Sequence, residues 1–349
     1  MIRRDSKAVQ ALRLRPNTAQ VRNAIAYRRS ERGAEVANRP TWLLIYLTDN
    51  CNLRCQMCPH HTTLEVDGFK YLKIIENAMT LDVLEGALNR YPEVTHVSLT
   101  GVGEPLMHPQ IMDVLAILNS RRVLFDVTSN GYLLSGEVAE ALQRSQHLRE
   151  LSVSLNGATP EEHYGVTGAR GFNRVLENVR RITGSKRSHL RGPMRIAGSQ
   201  VCTPDNVATW DTYVKLGADL KLDRLYLHNV IDMNIQGPGL TTLTDTPAVR
   251  DAIAQLPDRA GDTEIIKPRI IKKAKVGIGC QFFHRNIALD AKGAIGSCGR
   301  VMNPSPLYGN IKDEPDPWTN DYFTKTRATF VDGTMPSPCW TCVELQSEE

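Results

Sequence analysis

The sequence has no apolar run of about 18 residues, the length a membrane-spanning helix needs. Its first residues, MIRRDSKAVQ, are charged and lack the apolar middle of a secretory signal. Both absences lead us to expect a cytoplasmic protein with no membrane partner. Charge of one sign is also scarce. With 42 Lys and Arg against 38 Asp and Glu, the net charge is only +4, too small to imply a nucleic-acid partner. The 41% hydrophobic and 23% charged residues are an ordinary globular balance. A chain of 349 residues can bury a sizeable core, either as one large α/β barrel or as a barrel with a small appendage.

Basic residues do cluster locally ahead of the first strand, at Arg3, Arg4, Lys7, Arg13, Arg15, Arg22, Arg28, Arg29 and Arg32. They read as the solvated face of a helical segment over residues 1–41, or as a docking surface for an acidic partner or an anionic substrate. Cysteine, by contrast, is plentiful for a reducing compartment, with eight in the chain. Cys51, Cys55 and Cys58 form one group, Cys280, Cys298, Cys339 and Cys342 a second, and only Cys202 stands alone. Grouping of this kind in a reducing compartment points to metal or cluster ligands rather than disulfides, and the lone Cys202 reads as a buried thiol.

From residue 42 to 230 strand and helix signals alternate. Short, almost continuous apolar runs suit buried parallel strands at Trp42–Leu47, Val94–Thr100, Val123–Thr128, Leu151–Leu155, Met194–Gln200 and Leu222–His228. Between them, Thr80 is placed to cap a helix over Leu81–Asn89 and Ser135 one over Gly136–Arg144. Thr159, Pro160 and Glu162 spell a capping box, and Phe172, Val175, Val179 and Ile182 mark one face of a helix over 171–182. Such repeats predict a parallel sheet with right-handed crossovers. Six units are too few for a closed eight-fold barrel but enough for an open one, with ligands at the C-terminal strand ends. Residues 231–275, broken by Gly237, Pro238, Gly239, Pro247, Pro257 and Pro268, read as an irregular linker or an excursion toward substrate. Residues 276–349 read as a small Cys-rich module stapled by metal.

The first cysteine group lies in YLTDNCNLRCQMCPHH, directly after the first strand. Three thiolates on one tight loop can hold three irons of a cubane and leave the fourth iron open to an exogenous ligand. The competing reading is a zinc site completed by His60 or His61. The Cys51-x3-Cys55-x2-Cys58 spacing at this position resembles the radical S-adenosylmethionine (radical SAM) superfamily, with Met57 where many members carry an aromatic residue. The resemblance covers residues 42–230. It implies a partial (β/α)6 barrel of the radical SAM type, a [4Fe–4S] cluster whose free iron chelates S-adenosylmethionine, and reductive cleavage to a 5′-deoxyadenosyl radical.

Gly101-Val102-Gly103-Glu104-Pro105 ends the second strand and resembles that family's glycine-rich turn, whose Glu receives the methionine ammonium group. The glycines admit close backbone approach and Glu104 supplies the anion. Ser129 and Asn130, and Ser154 and Asn156, end strands three and four, where hydroxyls and amides can bond the ribose or carboxylate. Arg170 can pair with that carboxylate or lie on the surface. Gln200 and Val201 are candidates to line the adenine pocket.

The second group, with Leu289–Gly293 as a hairpin and Tyr308–Ile311 as a turn between its members, looks like the SPASM/twitch modules that follow the barrel in some radical SAM enzymes. Cys280, Cys298, Cys339 and Cys342 can ligate one auxiliary [4Fe–4S] cluster or a structural zinc. The full SPASM pattern uses seven cysteines for two clusters, so one cluster is the better count. The resemblance leaves several reactions open. One is a two-electron oxidation of a small hydroxylated substrate, sugar or aminocyclitol-like, with the auxiliary cluster as acceptor and flavodoxin or ferredoxin as electron donor. The others are crosslinking or epimerisation of a ribosomal peptide, and non-redox epimerisation or decarboxylation of a sugar. Residues 1–41 are shorter than the peptide-binding module common in peptide-modifying relatives, which favours the small substrate. His228, Asp232 and His60 or His61 are candidates for the base that takes the hydroxyl proton.

Overall fold

In the computed structural model the described residues are 16–30, 33–58, 65–66, 69–70, 77–185, 194–229, 242–270, 280–298, 304–334, 336 and 339. All six apolar runs form strands: β1 (Trp42–Ile45), β2 (His96–Leu99), β3 (Leu124–Ser129), β4 (Leu148–Ser154), β5 (Arg195–Cys202) and β6 (Arg224–Asn229). They pair in chain order and all in parallel, as the crossover rule requires. The helices are α1 (Thr18–Arg29), α2 (Leu81–Arg90), α3 (Ile111–Ser120), α4 (Gly136–Arg144), α5 (Pro160–Thr167), α6 (Phe172–Gly184), α7 (Trp210–Asp219), α8 (Pro247–Gln255) and α9 (Asp321–Val331). Among the described residues none is long and apolar enough to cross a membrane.

One side of the sheet makes the core. Leu43, Ile45, Val97, Leu99, Phe125, Val127, Leu151 and Val153 are buried with the apolar stripes of α2, α3, α4 and α6. Alternate residues of β3 to β6 are polar and partly exposed, among them Asp126, Thr128, Ser152, Ser154, Ser199 and Tyr226. The charges on these strands are paired. Asp126 accepts from His96 Nε2 at 2.7 Å and from Arg149 Nε at 2.9 Å. Glu150 accepts from Arg195 Nε at 3.1 Å and from the Tyr226 hydroxyl at 3.1 Å. Arg224 Nε reaches Glu264 at 2.6 Å.

The sheet extends beyond the six strands at both ends. β8 (Thr263–Ile266) pairs parallel with β6 and antiparallel with β7 (Arg259–Ala260); β9 (Asn286–Leu289) pairs parallel with β1 and antiparallel with β10 (Ile295–Gly296). The order is therefore β10-β9-β1-β2-β3-β4-β5-β6-β8-β7. This corrects the irregular reading of residues 231–275, whose described part holds α8, β7 and β8. Pro247, read as a breaker, is the first residue of α8, and Thr246 Oγ1 accepts the Val249 N–H at 3.3 Å. At N1 proline loses no hydrogen bond that a helix would use.

Local caps differ in detail from expectation. Thr80 and Ser135 precede their helices but make no side-chain cap. Thr159 accepts from the Glu162 N–H at 3.3 Å, while the Glu162 carboxylate takes the Ala158 N–H at 2.7 Å instead of closing the box on Thr159. In the N-terminal segment residues 1–15 lie outside the described residues; α1 is present, capped at both Asn17 and Gln20.

The C-terminal residues are tied to the start of the sheet. Trp318, fully buried, donates from Nε1 to the Asn38 carbonyl at 2.7 Å, and Asn38 Nδ2 donates to the His284 carbonyl at 2.8 Å. Arg39 holds Asp316 through two bonds of 2.7 and 2.9 Å. Buried Arg327 stacks on Trp318 at 4.2 Å and donates to the Phe283 and Trp318 carbonyls.

Candidate active site

Cys51, Cys55 and Cys58 lie half-buried on the loop that leaves β1. The loop is shaped by its own backbone and by the first turn after β2. The Leu53 N–H points at Cys51 Sγ (3.5 Å), the Cys58 N–H donates to the Cys55 carbonyl at 3.0 Å, and Arg54 Nη1 donates to the Cys51 and Leu53 carbonyls at 2.8 Å. The Glu104 N–H donates to the Asn50 carbonyl at 2.8 Å. A methyl group at Gly103 would stand 2.3 Å from the Thr48 carbonyl oxygen, so only glycine lets the two turns close on each other. Burial, with the neighbouring thiols adding to it, pushes the Cys51 thiol up to about 11 and Cys55 to about 12. Thiols held back in this way become favourable thiolates when a cationic centre sits among them. Among the described residues no three His, Cys, Asp or Glu side chains converge on a single ion. A cubane asks for something else, because each thiolate takes its own iron and the sulfurs stand apart. The three cysteines fit that group.

Glu104 is 2% exposed at the end of the β2 turn. Its Oε2 accepts the Asn130 N–H at 2.7 Å and its Oε1 the Leu106 N–H at 3.1 Å. Burial raises this carboxyl to about 7, opposed by these bonds and by the Ser129 hydroxyl. Gly101 takes φ +118°, and a methyl there would overlap the Tyr46 ring at 2.1 Å. Ser129 and Asn130, both buried, stand beside Glu104. Ser129 Oγ also accepts the Gly131 N–H, and Asn130 Nδ2 donates to Asn52 Oδ1 at 2.7 Å, which links this network to the cysteine loop.

The remaining candidates are more scattered. Ser154 ends β4, partly exposed, opposite Ser199. Asn156 adopts the left-handed φ of +52°, and its Oδ1 accepts the Val201 N–H at 3.2 Å, so this oxygen braces β5. Arg170 stacks over Tyr164 at 5.4 Å. Gln200 is 1% exposed and its Oε1 lacks a hydrogen-bond partner among the described residues. His228 is exposed and stacks on Tyr226 at 5.3 Å. Asp232, His60 and His61 lie outside the described residues. Cys202 is fully buried on β5, and burial raises its thiol.

Of the second cysteine group, Cys280, Cys298 and Cys339 are all buried, and Cys342 lies outside the described residues. Cys298 and Cys339 both act on the Tyr322 hydroxyl, and Cys298 also on Tyr46. Cys280 precedes the turn that leads into β9, with its carbonyl 2.8 Å from His284 Nδ1. The predicted hairpin forms between β9 and β10: Gly293 takes φ +86°, and Asp290 Oδ1 accepts the Lys292 and Ala294 N–H groups.

Sequence reasoning passed over Asn52, Tyr46, Tyr132 and His163. Tyr46 and Asn52 flank known motifs and are visible as neighbours of Gly101 and Asn130 only once β1, β2 and β3 are in register. Tyr132 and His163 come from different elements with no shared local pattern.

Residues 45–190 match the family model of the Radical SAM superfamily. Over that stretch, about two fifths of the chain, it is a domain of the radical SAM type. In sequence it is 31% identical over 118 residues to a tungsten-containing aldehyde ferredoxin oxidoreductase cofactor-modifying protein of Pyrococcus furiosus, covering 33% of this chain and 29% of that one. The match thus spans less than a third of that relative. In fold it is similar to SuiB of Streptococcus suis bound to its precursor peptide SuiA, with TM-score 0.64 and 18% identity over 88% of this chain and 70% of that one. It is also similar to anSMEcpe with bound AdoMet and Kp18Cys peptide, with TM-score 0.60 and 17% identity over 88% of both chains.

Proposed function

We propose that the chain binds a [4Fe–4S] cluster through Cys51, Cys55 and Cys58 and S-adenosylmethionine beside it, and removes hydrogen from a substrate held at the strand ends. When bound, the cluster supplies the electron that breaks the sulfonium bond and releases the 5′-deoxyadenosyl radical. The observation that carries this reading is the Glu104 carboxylate, buried within reach of Cys51's charge and aimed by the Asn130 and Leu106 N–H groups. Glu104 would receive the methionine ammonium group, and Ser129 and Asn130 would keep the carboxylate in place. Ser154, the Asn156 amide nitrogen and Arg170 are assigned to the ribose and carboxylate.

The reaction we favour is a two-electron oxidation. The substrate loses a hydrogen atom from a carbon bearing oxygen or nitrogen and its hydroxyl proton passes to a base; Cys280, Cys298, Cys339 and Cys342 would hold an auxiliary [4Fe–4S] cluster, which would supply the acceptor for the second electron. His228, at the end of β6, and Asp232 are assigned as the base. The hydroxyls on alternate positions of β3 to β6 suit a small hydroxylated substrate, and a flavodoxin or ferredoxin would reduce the first cluster. A second reading, peptide modification, is favoured by a specific observation. A solved chain that shares this fold over 88% of both chains binds a peptide.

The experiment is 5′-deoxyadenosine formation by anaerobically reconstituted protein with S-adenosylmethionine and dithionite. Formation is expected in wild type and absent from the Cys51→Ala, Cys55→Ala, Cys58→Ala variant; formation in that variant refutes the reading. Stimulation above the basal rate by aminocyclitols and sugars, against peptides, then assigns the substrate class. Zinc instead of iron at the C-terminal cysteines would remove the internal acceptor and leave non-redox epimerisation or decarboxylation.

A further inference from the structure

Tyr132 and His163 have no part in the scheme above, yet the fold joins them closely at the edge of the cysteine loop. His163 of α5 is fully buried. Its Nδ1 lies 2.6 Å from the Leu155 carbonyl, an acceptor only, so Nδ1 carries the proton. Burial holds the ring neutral, which leaves Nε2 to accept from the Tyr132 hydroxyl at 3.1 Å. Both rings are wedged. A methyl at Gly171 would stand 2.3 Å from Tyr132 Cε1, and Phe172 packs on His163 at 5.4 Å. Asn178 Nδ2 fixes the carbonyl before Tyr132 at 2.9 Å. The same helix holds the cysteine loop directly, since the Gln56 N–H, next to Cys55, donates to the Val166 carbonyl of α5 at 3.0 Å. The phenol lies close enough to Cys55 to feel its charge.

We propose that Tyr132, locked by His163, is a positioning residue for Cys55: its ring shields that side of the cysteine loop from water and keeps the Cys55–Cys58 turn docked on α5. This rests on the cluster reading above. Water at a cluster sulfur donates hydrogen bonds that stabilise the more negative, reduced state, so loss of the shield raises the reduction potential.

The test uses Tyr132→Phe, which keeps the ring but loses the donor, His163→Phe, which loses the acceptor, and Gly171→Ala, which displaces the ring with both partners present. Two readouts are taken: the midpoint potential of the reconstituted protein without S-adenosylmethionine, followed by electron paramagnetic resonance, and hydrogen exchange of the Gln56 and Cys58 amides in the apo-protein. Each variant is expected to shift the reduction equilibrium about tenfold toward the reduced state, ~59 mV for one electron, and to speed exchange about tenfold. The Tyr132→Phe, His163→Phe double variant should shift no further than either single one. Unchanged potential and exchange in Tyr132→Phe and Gly171→Ala overturn the proposal, even if His163→Phe fails to fold. If wild type takes up no iron, the cluster reading fails by itself and the exchange measurement decides the docking claim.

Discussion

Glu104→Gln separates what the buried carboxylate does for the fold from what it does for the ligand. In the folded apo-protein this carboxyl is raised from 4.5 to about 7, chiefly by burial. Its folded value lies above its unfolded one, so folding takes up a proton between those pH values. Stability is therefore full below about pH 4.5 and is lost as pH rises through about 7. At 1.36 kcal/mol per pH unit the loss is roughly 3 kcal/mol above pH 7. Glutamine matches the protonated carboxyl in charge, but its Nε2 cannot accept the N–H that one of the two carboxyl oxygens takes. Urea unfolding of the apo-protein should thus find wild type losing roughly 3 kcal/mol relative to Glu104→Gln between pH 5 and pH 8, from a starting point at pH 5 where the variant is the weaker for its lost N–H acceptor. S-adenosylmethionine binding should move the other way. The variant loses a charge-assisted bond, worth about 1.5–3 kcal/mol or some 10–100-fold in affinity. Wild-type affinity should fall by up to about tenfold per pH unit below pH 7 as the carboxyl protonates, and the variant's should stay flat. Equilibrium dialysis on reconstituted protein without reductant reads this directly. A stability difference that stays the same from pH 5 to 8, together with a flat wild-type affinity over that range, would refute the reasoning.

Gly103→Ala should leave the far-ultraviolet circular dichroism of the sheet intact and still reduce iron incorporation several-fold. Its methyl would collide with the Thr48 carbonyl at 2.3 Å and push the cysteine loop away from β2. Trp318→Ala should destabilise the chain by about 3–5 kcal/mol in denaturant unfolding, because a fully buried indole and its bond to the Asn38 carbonyl both disappear. Asp126→Asn should cost about 3 kcal/mol at pH 7, at the low end for a broken buried pair because the Arg149 side chain keeps 24% exposure. Asp126 is held well below the usual carboxylate range by His96 and Arg149 against the opposing effect of burial. Its contribution is present above about pH 4 and lost on further acidification, so the gap between variant and wild type should close in acid.

The six central strands were legible as short apolar runs bounded by turn residues, although alternate positions of β3 to β6 are polar and partly exposed and only one face is buried in the core. Helix α3 was not marked: IMDVLAILNS is so apolar that no polar face frames it. Helix α8 was hidden by reading Pro247 as an interruption when Thr246 before it makes a cap. The turn between β9 and β10 announced itself through Asp290 and Gly293. The pairing of β9 with β1 had no local sign, since register between distant segments is settled by packing. The candidate site divides in the same way. The cysteine spacing and the Gly101–Glu104 turn sit on contiguous residues and could be read directly. The Asn52–Asn130 bond and the Tyr132–His163 pair join separate strands and helices, and only the folded sheet puts them side by side.

The place of β9 has a consequence for the order in which this protein is built. Trp42–Ile45 lies between His96–Leu99 and Asn286–Leu289, and the Tyr46 N–H is fixed by the Leu289 carbonyl at 2.8 Å. One neighbour leaves the ribosome soon after β1, and the other about 240 residues later. Throughout most of synthesis one flank of β1, and with it the root of the first cysteine loop, stays uncovered. Contacts this distant in sequence form slowly. The nascent chain thus has a long interval in which β1 is held on one side only, and the arrival of β9 ends it.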